Sequence, residues 1–302
     1  MQSPAGLLRS TRVVVMAALV ATSGMLVTIG TATAAGSGGL SYPPGLLQPL
    51  PDDSATGDGV TAGSVVCPSG HPHPVGGGVK IEGSDPDLDL EVHATAPSGN
   101  KWRALANNNS GSDAQMTIYA ICAIGDYTYP HKTVNIASGH TNAAKVSCPV
   151  GRKVVGGGVS INGGNHSDEV TSSEPADGHD VNHKIDDAWF GSAGAGGAAA
   201  VTMTVTAVCA KHGTYVVKVG TRTNLVNNGL ATSVVLCPSG TRVTGGGTDI
   251  DGASTDLELH DGFPIDGSDT DGLPDDGWQS TAYNDGSGQL HHMKTFAICK
   301  LV

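Results

Sequence analysis

Apolar and polar side chains alternate most regularly in segment 201–209, where Val, Met, Val, Ala and Cys are separated by Thr, Thr, Thr and Val. Successive side chains of a β-strand point to opposite faces, so this pattern predicts a strand with one buried face. Segments 116–122 and 293–299 have the same pattern, and each ends in Ala-Ile-Cys. No long helical periodicity follows residue 34, and the predicted fold class is therefore all-β.

The alternating strand closes each copy of a repeat. A copy opens on Cys-Pro-x-Gly, continues with three consecutive glycines (Thr-Gly-Gly-Gly-Thr in the third copy), and ends on the strand. The opening cysteines are Cys67, Cys148 and Cys237, spaced 81 and 89 residues apart, a period that suits a small β unit. The sequence predicts three tandem antiparallel β repeats over residues 60–126, 127–213 and 214–302. They form either one pseudo-threefold β-prism-like domain or three small β-sandwich units.

Residues 1–34 are typical of an export signal. Arg9 and Arg12 give a positive start, an apolar run extends to Ile29, and small residues follow. An uncleaved membrane anchor is the alternative, which the length and the flanks of the apolar run disfavour. Residues 35–59 are rich in Pro and Gly and are interpreted as a linker. The mature chain is expected to be secreted and extracellular, with no membrane attachment after cleavage.

Six cysteines in an exported chain are expected to be paired. Repeat symmetry leaves two attractive sets. One joins neighbouring copies in a ring: Cys122–Cys148, Cys209–Cys237 and Cys67–Cys299. The other joins each copy internally: Cys67–Cys122, Cys148–Cys209 and Cys237–Cys299. We favour the internal set because it makes every copy self-sufficient, and closing a loop of about 55 residues removes roughly 4 kcal/mol of unfolded-chain freedom.

Each copy also has one tryptophan and one glycine triplet. Trp102, Trp189 and Trp278 could be sugar-stacking platforms, but one Trp per copy in a chain with 4% aromatic residues is more typical of a core. A phosphate-binding glycine loop requires a following helix. Here β patterns lie on both sides of the glycines, so we expect a bulge or a close backbone approach.

The order Cys-Pro-x-Gly, Gly-Gly-Gly, a Pro-ended turn, Trp and Ala-Ile-Cys resembles a repeat of uncharacterised secreted proteins of actinobacteria. The resemblance covers nearly the whole mature chain, from about Val60 to Cys299, and implies no activity. In layout alone, a threefold Cys-bearing β repeat is also similar to the β-prism of the vitelline membrane outer layer protein I family, whose characteristic motifs are not evident in this sequence.

The formal net charge of −12 narrows the range of partners. Nucleic acids and anionic lipids require cationic patches, so neither is expected as a partner. An extracellular polymer or surface is the expected partner, because three linked equivalent units suit multivalent contact. The oligomeric state stays open.

Two Glu-x-His pairs occupy equivalent positions in the first and third copies: Glu91 with His93, and Glu258 with His260. The second copy keeps Glu169 but has Thr171 in place of the histidine. Glu and His at this spacing share a strand face and could hold a metal or transfer a proton. The interpretation we favour is a solvated strand face opposite inward-pointing Leu and Val side chains.

Four aspartates lie close together in the third copy: Asp266, Asp269, Asp271 and Asp275. A calcium loop places hard oxygen ligands at alternate positions around a glycine turn. The segment 269–272 matches part of that pattern, but Gly267 occupies the first ligand position. Calcium is thus the candidate cofactor, and no other is expected. An acidic surface loop is the alternative that we favour.

No catalytic motif is recognisable: the chain has neither a Gly-x-Ser-x-Gly elbow nor a His-Glu-x-x-His pair. The distinctive residues are spread over three copies, as expected for residues that build the fold. The sequence therefore favours a secreted non-enzymatic binding or cell-envelope structural module. The alternative is a secreted hydrolase that acts on glycans through acidic loop residues.

Overall fold

A computed structural model places the chain in three seven-stranded antiparallel sheets. It describes residues 39–52, 60–83, 90–163, 167–178, 180, 182–252, 254–267, 269 and 271–302. The predicted signal peptide, residues 1–34, lies outside the described residues. Within them the secondary structure consists of strands, which confirms the predicted all-β class, and no helix suited to crossing a membrane is found there.

The described strands divide equally among the repeats, seven to each. The first repeat has β1 (Leu40–Ser41), β2 (Leu46–Leu50), β3 (Val60–Val66), β4 (His73–Glu82), β5 (Leu90–Ser98), β6 (Lys101–Asn108) and β7 (Ala114–Ala123). The second has β8 (Tyr127–Thr128), β9 (His131–Ile136), β10 (His140–Ser147), β11 (Lys153–Asn162), β12 (Val170–Ala176), β13 (Ala188–Ala195) and β14 (Val201–Ala210). The third has β15 (Tyr215–Val219), β16 (Thr223–Leu225), β17 (Gly229–Leu236), β18 (Thr241–Ile250), β19 (Leu257–Ile265), β20 (Gly277–Asn284) and β21 (His291–Leu301).

Part of the segment interpreted as a linker instead begins the first repeat. Strands β1 and β2 pair with β7, as β8 and β9 pair with β14 and as β15 and β16 pair with β21. Leu40 and Leu50 are each only 1% exposed, so the segment contributes to the core. Pro49 obscured the strand, but an edge strand tolerates proline because one side of its backbone needs no partner.

Every sheet combines four strands of one repeat with three strands of another. Sheet A contains β1, β2, β4 and β7 with β17, β19 and β20; sheet B contains β8, β9, β11 and β14 with β3, β5 and β6; sheet C contains β15, β16, β18 and β21 with β10, β12 and β13. Since each sheet crosses from one repeat to another, the arrangement fits a single pseudo-threefold domain. The described residues of the three repeats accordingly belong to one compact unit.

The internal disulfide set is confirmed: Cys67–Cys122, Cys148–Cys209 and Cys237–Cys299, with Cα–Cα distances of 5.6, 5.6 and 5.7 Å. In each bridge the first cysteine directly follows a strand of one sheet and the second lies in a strand of another. The bridges therefore join sheet B to A, C to B and A to C. They lie within repeats, yet they connect all three sheets.

The glycine triplets permit three different close approaches. A Cβ on the first glycine would meet the backbone of another repeat, as at Gly156, where it would lie 2.1 Å from the carbonyl oxygen of Val75. A Cβ on the second glycine, such as Gly157, would meet the repeat's own tryptophan ring, here Trp189 at 2.3 Å. The third glycine faces a strand of a neighbouring repeat. The prediction of a close backbone approach is thus confirmed, and a β-bulge directly precedes each triplet.

The tryptophans are core residues, as predicted: Trp102, Trp189 and Trp278 are 1%, 0% and 3% exposed. Each repeat contributes four strands to one sheet and three to another, and we call these two sets its half-sheets. Each repeat has its own apolar core between its two half-sheets. A further core joins all three repeats, and it includes Val75, Val155 and Val243.

Candidate functional site

The two predicted Glu-x-His pairs lie on β5 and β19, which contact each other and the equivalent strand of the second repeat, β12. Glu91 and Glu258 lie in these strands, Glu169 directly precedes β12, and the three are 7%, 2% and 5% exposed. The prediction of a solvated strand face is therefore wrong. One face of each strand packs inside its own repeat, and the other turns towards the neighbouring repeats instead of towards water.

Polar side chains are buried where these strands of the three repeats meet. We call Glu91, His93, Asp168, Glu169 and Glu258 the axial cluster, and Glu169 is its central residue. Burial, together with the nearby carboxylates of Glu91, Glu258 and Asp168, raises the pKa of Glu169 to about 11. Its Oε1 atom is buried without a hydrogen bond. Glu169 therefore keeps its proton at neutral pH, because an additional buried negative charge would be costly.

The two predicted histidines are also buried, and each lies beside a carboxylate. His93 Nε2 is 3.7 Å from Glu91 Oε2, and His260 Nδ1 is 3.6 Å from Asp261 Oδ2. Burial lowers the pKa of His93 to about 4, although Asp168 opposes this shift, so its imidazole is neutral at physiological pH. His93 and His260 occupy a β-bulge in their strands, and Thr171 occupies the same bulge in the second repeat.

This arrangement of carboxylates and a neutral imidazole could store protons, but its burial separates it from a polymeric substrate. No set of three acidic or histidine ligand atoms within 4.8 Å of one another is found in the described part of the axial cluster. Metal binding by Glu91, His93, Glu258 and His260 is accordingly not supported by the geometry. The clearest consequence of the cluster's burial is a stability that depends on pH.

The aspartates of the predicted calcium loop do come together. Ligand atoms of Asp269, Asp271 and Asp275 lie within 4.8 Å of one another, as do those of Asp266, Asp269 and Asp276. Arg242 already binds two of these residues, donating to Asp275 Oδ2 and, over 3.3 Å, to Asp271 Oδ2. Burial raises the pKa of Asp275 to about 6, and Arg242 opposes this shift. Calcium binding stays a prediction, which a chelator-dependent melting temperature would test.

A separate concave site lies on the outer face of sheet C. It is a groove of about 450 Å³, and it is lined by residues from four strands and a turn: Thr141, Asn142, Ala143, Thr171, Ser172, Phe190, Ser192, Asp249, Ile250, Asp251 and Gly252. Phe190 is only partly buried. The hydroxyls of Thr171 and Ser192 are 2.6 Å apart. The groove thus combines one aromatic ring with hydroxyl, amide and carboxylate groups.

Sequence reasoning missed Phe190, Asp168 and Asp276. Phe190 directly follows the repeat's tryptophan, but nothing in one sequence indicates that its ring borders a groove. Glu169 did carry a signal, because it aligns with Glu91 and Glu258, and three aligned acids on pseudo-equivalent strands meet if the strands converge.

Together the sheets, the buried cluster and the groove define an all-β protein of three repeats, each closed by its own disulfide, with a groove on the outer face of sheet C. Comparison with known protein families and with curated proteins found no match for the chain.

Proposed function

We propose that this protein is a secreted, non-enzymatic β-repeat protein that binds an extracellular polymer or a cell-envelope surface. The groove on sheet C carries the proposal, because a concave site with a few polar groups around an aromatic ring is typical of ligand binding. The three disulfides support an oxidising, extracellular location. The resemblance of the repeats to those of secreted actinobacterial proteins agrees with this location.

A glycan hydrolase is the second candidate, and one residue keeps it open to test. Glu174 is the cross-strand neighbour of Phe190, and burial, followed by the charge of Asp249, raises its pKa to about 8. A carboxyl group that is protonated at neutral pH can act as a general acid. The aspartate-rich loop of the third repeat is a less suitable catalytic site for a hydrolase, because Arg242 already binds Asp271 and Asp275.

Co-sedimentation with insoluble polymers tests the two functions together. The mature protein is incubated with cellulose, chitin, xylan and bacterial cell walls, and bound protein and released sugar are both measured. We expect retention on at least one polymer without release of sugar. Sugar release that disappears in Glu174→Gln would favour the hydrolase, and failure of every polymer to retain the protein would contradict the binding function.

A further inference from the structure

Each sheet has a junction where a strand of one repeat meets a strand of another, and the regular pairing there is short. In sheet C, β12 and β18 share one register pair, Ser173 with Thr248. Beyond this pair, the Ser172 hydroxyl accepts a hydrogen bond from Ile250 N at 3.0 Å in place of a backbone group. The strands separate at this point, and the groove lies on their outer side.

The outer faces of the three junctions differ although the strands are equivalent. Phe190 directly follows Trp189, whereas Arg103 and Gln279 follow the tryptophans of the other repeats. Among the lining residues of the groove in sheet C, the ring of Phe190 is the aromatic surface that a ligand could contact.

In sheet A the corresponding junction is covered by its own side chains. The rings of Tyr119 and Phe263 stack at 5.8 Å between centroids with an interplanar angle of 17°, and Lys80 Nζ lies 5.8 Å from the centre of the Phe263 ring. In sheet B the junction has a smaller groove of about 230 Å³, lined by Arg103 and by small side chains without an aromatic ring.

The carboxylates of the groove in sheet C are paired with cations. Asp249 Oδ2 is 3.3 Å from Lys294 Nζ, while Asp251 binds Arg222 and accepts a 2.6 Å hydrogen bond from the backbone N–H of His292. These pairs reduce the local negative charge but leave oxygen acceptors in the groove, on the wall opposite Phe190. Such a surface favours a neutral ligand rich in hydroxyl groups over a strongly charged one.

We propose that the groove in sheet C binds a single chain of neutral pyranose sugars, with the apolar face of one sugar ring stacked on Phe190. Hydroxyls of the sugar would bond to Thr141, Ser192 and the carboxylates on the opposite wall. The inference rests on the proposed binding function and narrows it, because it assigns one site to the chain instead of three equivalent ones.

The test compares two aromatic deletions on the polymer that retains the unmodified protein. Phe190→Ala is expected to weaken retention by roughly tenfold, which corresponds to the loss of an aromatic contact of about 1.4 kcal/mol. The matched control, Phe263→Ala, removes a ring from the covered junction of sheet A and should leave retention unchanged. Ala143→Arg, at an exposed position on β10, should block the groove without changing the core. Thermal melting of each variant verifies its folding.

Titration calorimetry with a soluble oligosaccharide of the same polymer then measures the number of sites, and we expect one per chain. Wild-type retention by both folded variants, Phe190→Ala and Ala143→Arg, or a stoichiometry of three, would overturn this site while leaving the binding function intact. If no polymer retains the unmodified protein, the proposed function itself fails, and this inference fails with it.

Discussion

A single hydroxyl distinguishes the third tryptophan from the other two. Trp102 Nε1 donates to Thr95 Oγ1 at 2.9 Å, and Trp189 Nε1 donates to Ser173 Oγ at 3.0 Å. The equivalent position in the third repeat is Gly262, and Trp278 Nε1 is buried without an acceptor. A buried donor without a partner costs about 1–3 kcal/mol.

Replacing Gly262 with serine should therefore stabilise the protein. A Cβ at this position would lie 3.5 Å from Trp278 Nε1 and 3.7 Å from Ser280 Oγ, so the side chain fits. We expect Gly262→Ser to raise the free energy of unfolding by about 1 kcal/mol, because its hydroxyl would accept the indole N–H. Gly262→Ala, measured by the same denaturant titration, is the control for the effect of the Cβ alone, and an equal gain in both variants would refute the hydrogen bond.

Glu169 should make the stability of the protein dependent on pH. Its pKa of about 11 in the folded state lies above the ordinary value of 4.5. Between these values the folded state holds a proton that the unfolded chain has released, so stability falls as the pH rises. Glu169→Gln should reduce this loss by up to roughly 1.4 kcal/mol per pH unit.

The measurement is denaturant unfolding of the wild type and Glu169→Gln between pH 7 and pH 9. The difference between the two pH slopes isolates Glu169, because His93 and Glu174 are present in both proteins. Glu82→Gln, which changes an exposed carboxylate, is the control for the loss of an acidic side chain at the surface. A parallel slope for the wild type and Glu169→Gln would show that Glu169 is ionised in the folded protein.

Strands β4, β11 and β18 approach one another only because their first glycines lack side chains. A Cβ on Gly156 would lie 2.1 Å from a backbone oxygen of another repeat, and backbone cannot rotate away as a side chain can. We expect Gly156→Ala to destabilise the protein by on the order of 3 kcal/mol or to prevent folding. Gly70→Ala is the control, because no atom lies within 4 Å of its added Cβ. Similar melting temperatures for the two variants would contradict the close approach.

The sequence could predict the elements whose pattern depends on local packing. The alternating strand ending at Cys209, the buried Trp189 and the need for glycine at the triplets all follow from side-chain periodicity or from backbone sterics. The burial of Glu91 and Glu258 could not be predicted in this way, because it depends on strands from the other repeats. A polar residue on the outer side of a strand has the same pattern whether that side meets water or another repeat.

For the whole molecule, sequence reasoning gave the right disulfides for an incomplete reason. The internal pairing was expected to make each repeat self-sufficient, yet every sheet draws strands from two repeats. The spacing of Cys67 and Cys122 does not reveal this sharing of strands. The disulfide joins the two half-sheets of one repeat, and its spacing is the same whichever other repeats complete the two sheets.

Removal of one bridge should consequently loosen the contact between two sheets. We expect the double variant Cys148→Ser with Cys209→Ser to lose about 3–4 kcal/mol of stability, because the 61-residue separation leaves a long loop open in the unfolded chain. Thermal unfolding measures the loss, and a peptide map of the unreduced wild type verifies the three pairs. A melting temperature equal to that of the wild type would contradict this role.

The sharing of strands also determines when folding can finish. Strands β17, β19 and β20 of the last repeat to be synthesised complete the sheet that β4 and β7 of the first repeat begin. Until they emerge, β4 presents an unpaired backbone edge to its surroundings. A chain that ends after the second repeat would keep this unpaired edge. The half-sheet formed by β10, β12 and β13 would also lack the strands of the third repeat that complete sheet C. Two such ends on different chains have matching strand patterns, so truncated molecules should join head to tail into chains instead of remaining monomeric.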